Sequence, residues 1–202
     1  YIEFGLAYSD PDQSGNGVTI PDNPLGIPPG IYSGNTGDVF EDRWTISGAY
    51  KADLNDKLSY ALTFDQPLMA DTRYGDGSFP FPLYGGSNAD LSTYQITGAL
   101  AYDVNPSIKL FGGVRAQRLD AKAAVSFVFD YSVEADDKWG WGYLLGAAYE
   151  RPEYALRVAL TYYSKISYDL DTTETSLLTG TNDTDTDVDT PQSVSLDFQT
   201  GI

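Results

Sequence analysis

From Trp139 onward the chain alternates with a period of two residues. Trp139, Trp141, Tyr143, Leu145, Ala147 and Tyr149 occupy one set of positions, and the mostly small residues Gly140, Gly142, Leu144, Gly146 and Ala148 fill the gaps. After Glu150–Glu153 the pattern restarts, with Tyr154, Leu156, Val158, Leu160 and Tyr162 on one face and Arg157, Ala159, Thr161 and Lys165 among the residues on the other. Side chains alternate across a β-strand, so each segment has an aliphatic face bracketed by aromatic rings and a small or polar face. Water on both sides does not select that pattern. Lipid outside and a wet lumen inside do, with rings at the two interfaces. The ten steps from Trp139 to Tyr149, at ~3.3 Å each and tilted ~40°, span roughly 25 Å, the height of an outer-membrane apolar band.

The same reading gives eight strand-like segments. Their outward rows run Ile2–Tyr8, Trp44–Tyr50, Leu58–Phe64, Tyr94–Tyr102, Ile108–Ala116, the two rows above, and Val194–Thr200, each taken at every second residue. No outward position is charged. The charges fall on the other face, at Glu3, Lys51, Asp65, Asp103, Lys109, Arg115, Arg157, Lys165 and Asp197. A charge at the middle of the lipid face would cost ~2–4 kcal/mol, so a membrane strand requires this partition. In the seventh segment Leu156, Val158 and Leu160 are expected to face lipid, and Arg157, Ala159 and Thr161 the lumen. Short turns at Ala52–Asp56, Asn105–Ser107 and Glu150–Glu153 alternate with long connections at about Asp10–Arg43, Pro67–Leu91, Leu119–Lys138 and Thr172–Gln192. That sorting sends the short turns to one rim and the long loops to the other, as in an outer-membrane barrel. A secreted β-sandwich with one solvated face explains the alternation but not the bracketing rings or the sorted loops. The fold class is therefore all-β, a transmembrane antiparallel barrel located in a bacterial outer membrane.

Composition narrows the chemistry. A mean hydropathy of -0.29 is compatible with barrel strands, whose apolar residues occupy alternate positions. No apolar run approaches the ~18 residues of a membrane helix. The chain has no Cys and no His, so thiolate and imidazole metal sites and Ser-His-Asp triads cannot be built. No catalytic constellation, metal site or cofactor motif is found, and no enzyme activity is expected. The formal charge of -17 opposes binding to nucleic acid, which needs a basic face.

Four stretches, Asp53–Asp71, Gly112–Gln117, Gly142–Asp171 and Thr190–Ile202, resemble the FadL/TodX family of outer-membrane transporters for long-chain fatty acids and other hydrophobic compounds. The most specific features are the glycine-rich strand, the Arg151-Pro152 turn, the ALRVALTYYSKI strand and the later TPQSVSL. The resemblance implies a 14-stranded barrel with an N-terminal hatch, an internal hydrophobic pocket and a lateral opening in the wall. Residues 1–202 would then form a single β-barrel domain. That domain is expected to be a fragment carrying about eight strands, without the hatch or the final strands. The resemblance further implies fatty acids and aromatic hydrocarbons as solutes, and since the sequence carries no nucleotide motif, passive transport down the solute's own gradient is expected. Outer-membrane lipid and lipopolysaccharide would surround the protein, and a monomer is expected.

Several positions are candidate ligand contacts. Ala123–Val133 reads as one alternating loop strand that places Phe127, Phe129 and Tyr131 together, an apolar surface beyond the bilayer where a greasy solute first lands. The resemblance pairs it with the next loop, which offers Leu177 and Leu178. Ordinary hairpin packing explains the same residues. Phe79 and Phe81 form a second apolar patch, with loop self-packing as its alternative. Arg115, Arg157 and Lys165 could hold a carboxylate, Arg in bidentate fashion, although Asp65, Asp103, Asp169 and Asp197 on the same side invite structural ion pairs. The run Thr181–Thr190 alternates Asp with Thr and offers oxygen ligands to Ca²⁺, but it lacks the Gly and distal Glu of an EF-hand. The alternative function is accordingly a structural or surface-interaction barrel whose acidic loops bind cations.

Overall fold

The computed structural model describes residues 1–22, 29–75, 84–126 and 128–201. Thirteen strands follow along these residues: β1 (Ile2–Ser9), β2 (Asn16–Ile20), β3 (Gly30–Asn35), β4 (Arg43–Asn55), β5 (Leu58–Asp65), β6 (Met69–Arg73), β7 (Asn88–Asn105), β8 (Ile108–Val125), β9 (Tyr131–Arg151), β10 (Leu156–Tyr163), β11 (Ile166–Ser176), β12 (Gly180–Thr190) and β13 (Ser193–Gln199). Eight of them, in the order β1-β4-β5-β7-β8-β9-β10-β13, form a single antiparallel up-and-down sheet. These are the eight segments expected from alternation. The remaining strands belong to the long connections: β2–β3 is a separate hairpin, β6 extends the β5 side of β7, and β11–β12 is a long hairpin between β10 and β13.

The sheet inverts the hydropathy of a soluble protein. Its outward rows expose Phe4 (87%), Trp141 (68%), Leu145 (57%) and Val114 (55%), whereas Ser59, Thr93, Gln95, Thr97, Gln117 and Thr161 are buried on the inner face. Lipid is the solvent that makes this favourable. Leu160 is exposed outward while Ala159 and Thr161 are buried inward, the orientation expected for the seventh segment. Aromatic rings pair in tilted contacts along the two edges of the outward face. Tyr50 lies 5.8 Å from Tyr60 near the short turns; Tyr8 is 4.9 Å from Trp44, and Tyr143 6.1 Å from Tyr162, toward the other rim.

Two of the short turns share one device. The Oδ1 of Asn55 accepts the backbone N–H groups of Lys57 and Leu58, and that of Asn105 accepts those of Ser107 and Ile108. The ladder shifts register just before each, between Asp53 and Asn55 and between Asp103 and Asn105. An Asn that mimics a backbone turn is the reason both connections can be so short. The third turn is a single 3-10 turn, Pro152–Tyr154, closed by Ala155 in the left-handed region (φ 47°).

Two expectations about the long connections are corrected. Ala123–Val133 is not one strand: β8 ends at Val125, and the backbone reverses through Phe129 (φ 54°) and Asp130 (φ 50°) before β9 begins. Ala123 therefore faces Val133, and Val125 faces Tyr131, across a hairpin. Thr172–Gln192 is not a loop, because β11 and β12 pair without a break from Ile166↔Thr190 to Ser176↔Gly180.

Close packing on the inner face depends on glycine. A Cβ on Gly146 would collide with the Phe111 ring and sit 2.7 Å from the Leu160 carbonyl oxygen. Gly146→Ala is expected to cost about 1–3 kcal/mol through overpacking, measured by chemical unfolding in lipid. Leu145→Arg, one position along on the lipid face, is expected to cost ~2–4 kcal/mol for a different reason, burial of charge in hydrocarbon. A cysteine at Leu145 should resist a water-soluble maleimide in the embedded protein, while one at the half-exposed lumen position Arg157 should react.

Candidate functional site

Beyond the aromatic edge, β7, β8 and β9 continue upward and the β11–β12 hairpin leans against them. The hairpin continues the β10–β13 pair in the same register: Tyr163 faces Ser193, and three residues further on Ile166 faces Thr190. Strand structure lapses only at Ser164–Lys165 and Pro191–Gln192. Pro191 has no N–H for the ladder, which favours a bend at that point. The ladder to β9 ends with β10 at Tyr163↔Leu144 and resumes with β11 at Thr172↔Ala135.

A cleft of about 500 Å³ opens between these elements, lined by Leu91, Tyr131, Val133, Leu170 and Val188 together with Ala70, Ala89, Ala121, Ala123 and Ala135; Thr172, Thr186, Asp90, Lys122 and Glu174 complete its wall. Small alanines on four strands, β6 to β9, leave the space, and larger apolar side chains from β7, β9, β11 and β12 enclose it. Its floor is a packed cluster of Leu119, Ile166, Tyr168 and Leu170.

Beneath that floor the inner face turns polar. The Oε1 of Gln95 accepts hydrogen bonds from Arg115 Nε (3.1 Å), Arg115 Nη2 (2.9 Å) and Gln117 Nε2 (3.3 Å), while Gln95 Nε2 donates to Asp65 (3.2 Å). Gln117 Oε1 accepts from the Tyr168 hydroxyl at 2.5 Å. Arg115 also donates to the Ser164 carbonyl (3.4 Å) and lies over the Tyr163 ring (5.1 Å). Among the described residues, Arg115 takes part in no ion pair; its hydrogen-bond acceptors are neutral. The other candidate cations are differently placed: Arg157 pairs with Glu150 at 3.4 Å near the short turns, and Lys165 pairs with Asp189 at 2.8 Å on the outside of the hairpin. The three therefore do not converge.

Of the apolar candidates, Tyr131 lines the cleft. Phe129, Leu177 and Leu178 meet at the tips of the two hairpins, where Leu177 N–H donates to the Phe129 carbonyl at 2.9 Å, and all three are exposed. Phe79, Phe81 and Phe127 lie outside the described residues. Sequence reasoning missed Leu91, Leu170, Val188, Gln95, Gln117 and Tyr168. A signal for part of this existed, since Ile166, Tyr168, Leu170 and Thr172 alternate with Ser167, Asp169 and Asp171.

The outer face of the hairpins is charged. Arg118 beside Asp137 (2.7 Å) holds that carboxyl below its ordinary range, and Lys165 does the same for Asp189. Asp169 faces Asp187, and Asp171 faces Asp185, directly across the β11–β12 ladder, an unfavourable pairing that Lys138 relieves at Asp171 (2.6 Å). Among the described residues, no three acidic side chains converge to hold a metal ion.

The wall is also interrupted between β4 and β5. Their ladder stops at Gly48↔Phe64, and contact resumes only at the Phe40↔Thr72 bridge, with Glu41 N–H donating to Asp71 O and Arg73 N–H to Val39 O. In between, the Ile46 N–H is satisfied by the Gln66 side chain at 2.9 Å.

The crystal structure of a Pseudomonas aeruginosa FadL homologue superposes with a TM-score of 0.59 at 16% identity, covering 90% of this chain and 44% of that one. At that identity the likeness shows the fold, and this chain spans under half the length of that relative. A search of curated proteins finds no match. The profile of outer membrane transport proteins (OMPP1/FadL/TodX) matches residues 2–198. The chain belongs to the OMPP1/FadL/TodX family of outer membrane transport proteins.

Proposed function

We propose that this chain forms the wall and the outer landing cleft of a passive outer-membrane channel for hydrophobic solutes, with long-chain fatty acids and aromatic hydrocarbons as the solute class. The observation that carries this reading is the cleft between the β8–β9 and β11–β12 hairpins, about 500 Å³ and enclosed by Leu91, Tyr131, Val133, Leu170 and Val188. Its size falls in the ~300–1,000 Å³ range of small-molecule pockets, and apolar lining with few polar groups is what such a ligand needs. Phe129, Leu177 and Leu178 at the hairpin tips extend the apolar surface outward, where a solute arriving through the lipopolysaccharide layer makes its first contact.

Arg115 is the proposed carboxylate contact. Its guanidinium is held by neutral acceptors, so an incoming carboxylate replaces a weaker partner without breaking an ion pair. Arg157 and Lys165 already have acidic partners and are weaker candidates. The interrupted β4–β5 ladder supports release of solute sideways into the membrane. No step consumes a nucleotide in this scheme; the driving force is the solute's gradient and its affinity for the protein. The protein acts as a monomer.

Liposomes carrying the protein should take up a labelled long-chain fatty acid faster than protein-free liposomes, and equal rates would refute the proposal. Val133→Asp is expected to weaken fatty-acid binding by tenfold or more, roughly the cost of a charge in an apolar pocket. Replacing Asp183, Asp185 and Asp187 with Asn should leave uptake intact. Arg115→Met should weaken fatty-acid binding by about tenfold, the loss of a charge-assisted hydrogen bond, while leaving toluene binding unchanged. Titration calorimetry with both ligands separates the two effects.

A further inference from the structure

A second cavity, about 270 Å³, lies on the inner face below the cleft and is lined by Thr63, Gln95, Thr97, Phe111, Leu144 and Thr161 among others. Between the two cavities, the strands pass through some of the most buried side chains in the molecule: Thr93 (0% exposed) on β7, Gln117 (1%) and Leu119 (2%) on β8, and Ile166 (0%) and Tyr168 (3%) on β11. On β9 the same level is occupied by Gly140 and Gly142, and the space above them is filled from β11. A Cβ on Gly140 would collide with Ile166 and lie 2.7 Å from the Tyr168 ring; one on Gly142 would come 2.8 Å from Ile166 Cγ1. The cleft and the lower cavity are thus divided by a layer whose third wall is β11.

This part of β11 is attached to the barrel wall differently from its neighbours. Below it, Ser164 N–H donates to Tyr143 O and Tyr143 N–H to Ser164 Oγ, both at 2.9 Å. Above it, the ladder with β9 resumes at Thr172↔Ala135. From Ile166 to Asp171 no backbone pairing joins β11 to β9, and the strand is held there by Ile166 and Tyr168 resting on two glycines, by the Tyr168 hydroxyl donating to Gln117 and, at the upper end, by the Lys138–Asp171 ion pair. Its other side is fully laddered to β12. Breaking the Tyr168–Gln117 bond and withdrawing two side chains therefore opens the layer without unpairing a β9 ladder.

We infer that the Ile166–Leu170 segment of β11 is a strap across the solute path, closed in this structure, latched by the Tyr168–Gln117 hydrogen bond and seated on Gly140 and Gly142. Lifting it joins the landing cleft to the lower cavity. The latch belongs to the same network as Arg115, through Gln95, so the strap and the carboxylate contact act on one another. This inference rests on the transport reading above and adds its gating element.

The chain contains no cysteine, so the strap can be bolted with a single engineered disulfide. A Cβ added at Gly142 would lie 2.8 Å from Ile166 Cγ1, the position a sulfur on residue 166 can take, so Gly142→Cys and Ile166→Cys are close enough to bridge. Oxidised protein in liposomes should lose fatty-acid uptake to the protein-free rate, recover it on reduction, and keep its fatty-acid binding in the cleft throughout. Equal uptake by the oxidised and reduced forms would overturn the strap. A second measurement needs no transport: labelling of Leu119→Cys, inside the dividing layer, by a water-soluble maleimide. Adding Tyr168→Phe should raise that labelling rate about tenfold, the worth of one lost hydrogen bond; an unchanged rate would overturn the latch. If neither the unmodified nor the reduced protein takes up solute, the transport reading fails, and the labelling rates alone decide for or against the strap.

Discussion

Inside hydrocarbon there is no water to satisfy a backbone N–H or C=O, and each one left unpaired costs several kcal/mol, so a chain that crosses with strands must ladder them to their neighbours. Everything else in this protein is arranged around that constraint. The eight-stranded meander pairs each of its strands with the next along the chain, and short turns, two of them Asn-centred, make three of those pairings local. The side chains then follow. Apolar residues and rings take the outward positions, and charge and amide groups take the inner ones. There, among the described residues, no buried side-chain polar atom lacks a partner.

The places where the ladder lapses are correspondingly informative. Two occur in the upper half of the sheet, between β4 and β5 and between β9 and β11, and both border the lumen. Irregular backbone at membrane depth is tolerated where it lines a cavity or is covered by protein. Gln66 covers one gap by supplying the acceptor that Ile46 N–H needs; Ile166 and Tyr168 cover the other by packing on glycine. Arg115 is bound to the neutral amide of Gln95, whose other end donates to Asp65.

Much of this was legible in the residue order. Alternation with period two, the absence of charge from one face and the sorting of short and long connections identified eight strands and their orientation. All three are consequences of lipid on one side and water on the other. The hairpins beyond the membrane were not readable in the same way. Phe129 and Asp130 reverse the chain without a glycine, so Ala123–Val133 looked continuous. The acidic residues of β12 have low strand propensity and hid a strand that is held by its ladder to β11. The lumen network was invisible for a different reason. Tyr168 and Gln117 are 51 residues apart, and Gln95, Arg115 and Asp65 come from three strands. No local pattern marks such a convergence; only the register of the sheet brings it together.

The central claim is that the outward face of the sheet lies in lipid, and the protein carries its own probes of it. Its three tryptophans, Trp44, Trp139 and Trp141, are all exposed on that face, at 61%, 51% and 68%. The direct test is tryptophan fluorescence in bilayers of lipids brominated at defined depths. The account predicts strong quenching by bromine near the headgroup end of the acyl chain, weaker quenching by bromine near the bilayer centre, and little quenching by aqueous iodide. Strong quenching by iodide with none from brominated lipid would place the face in water and contradict it.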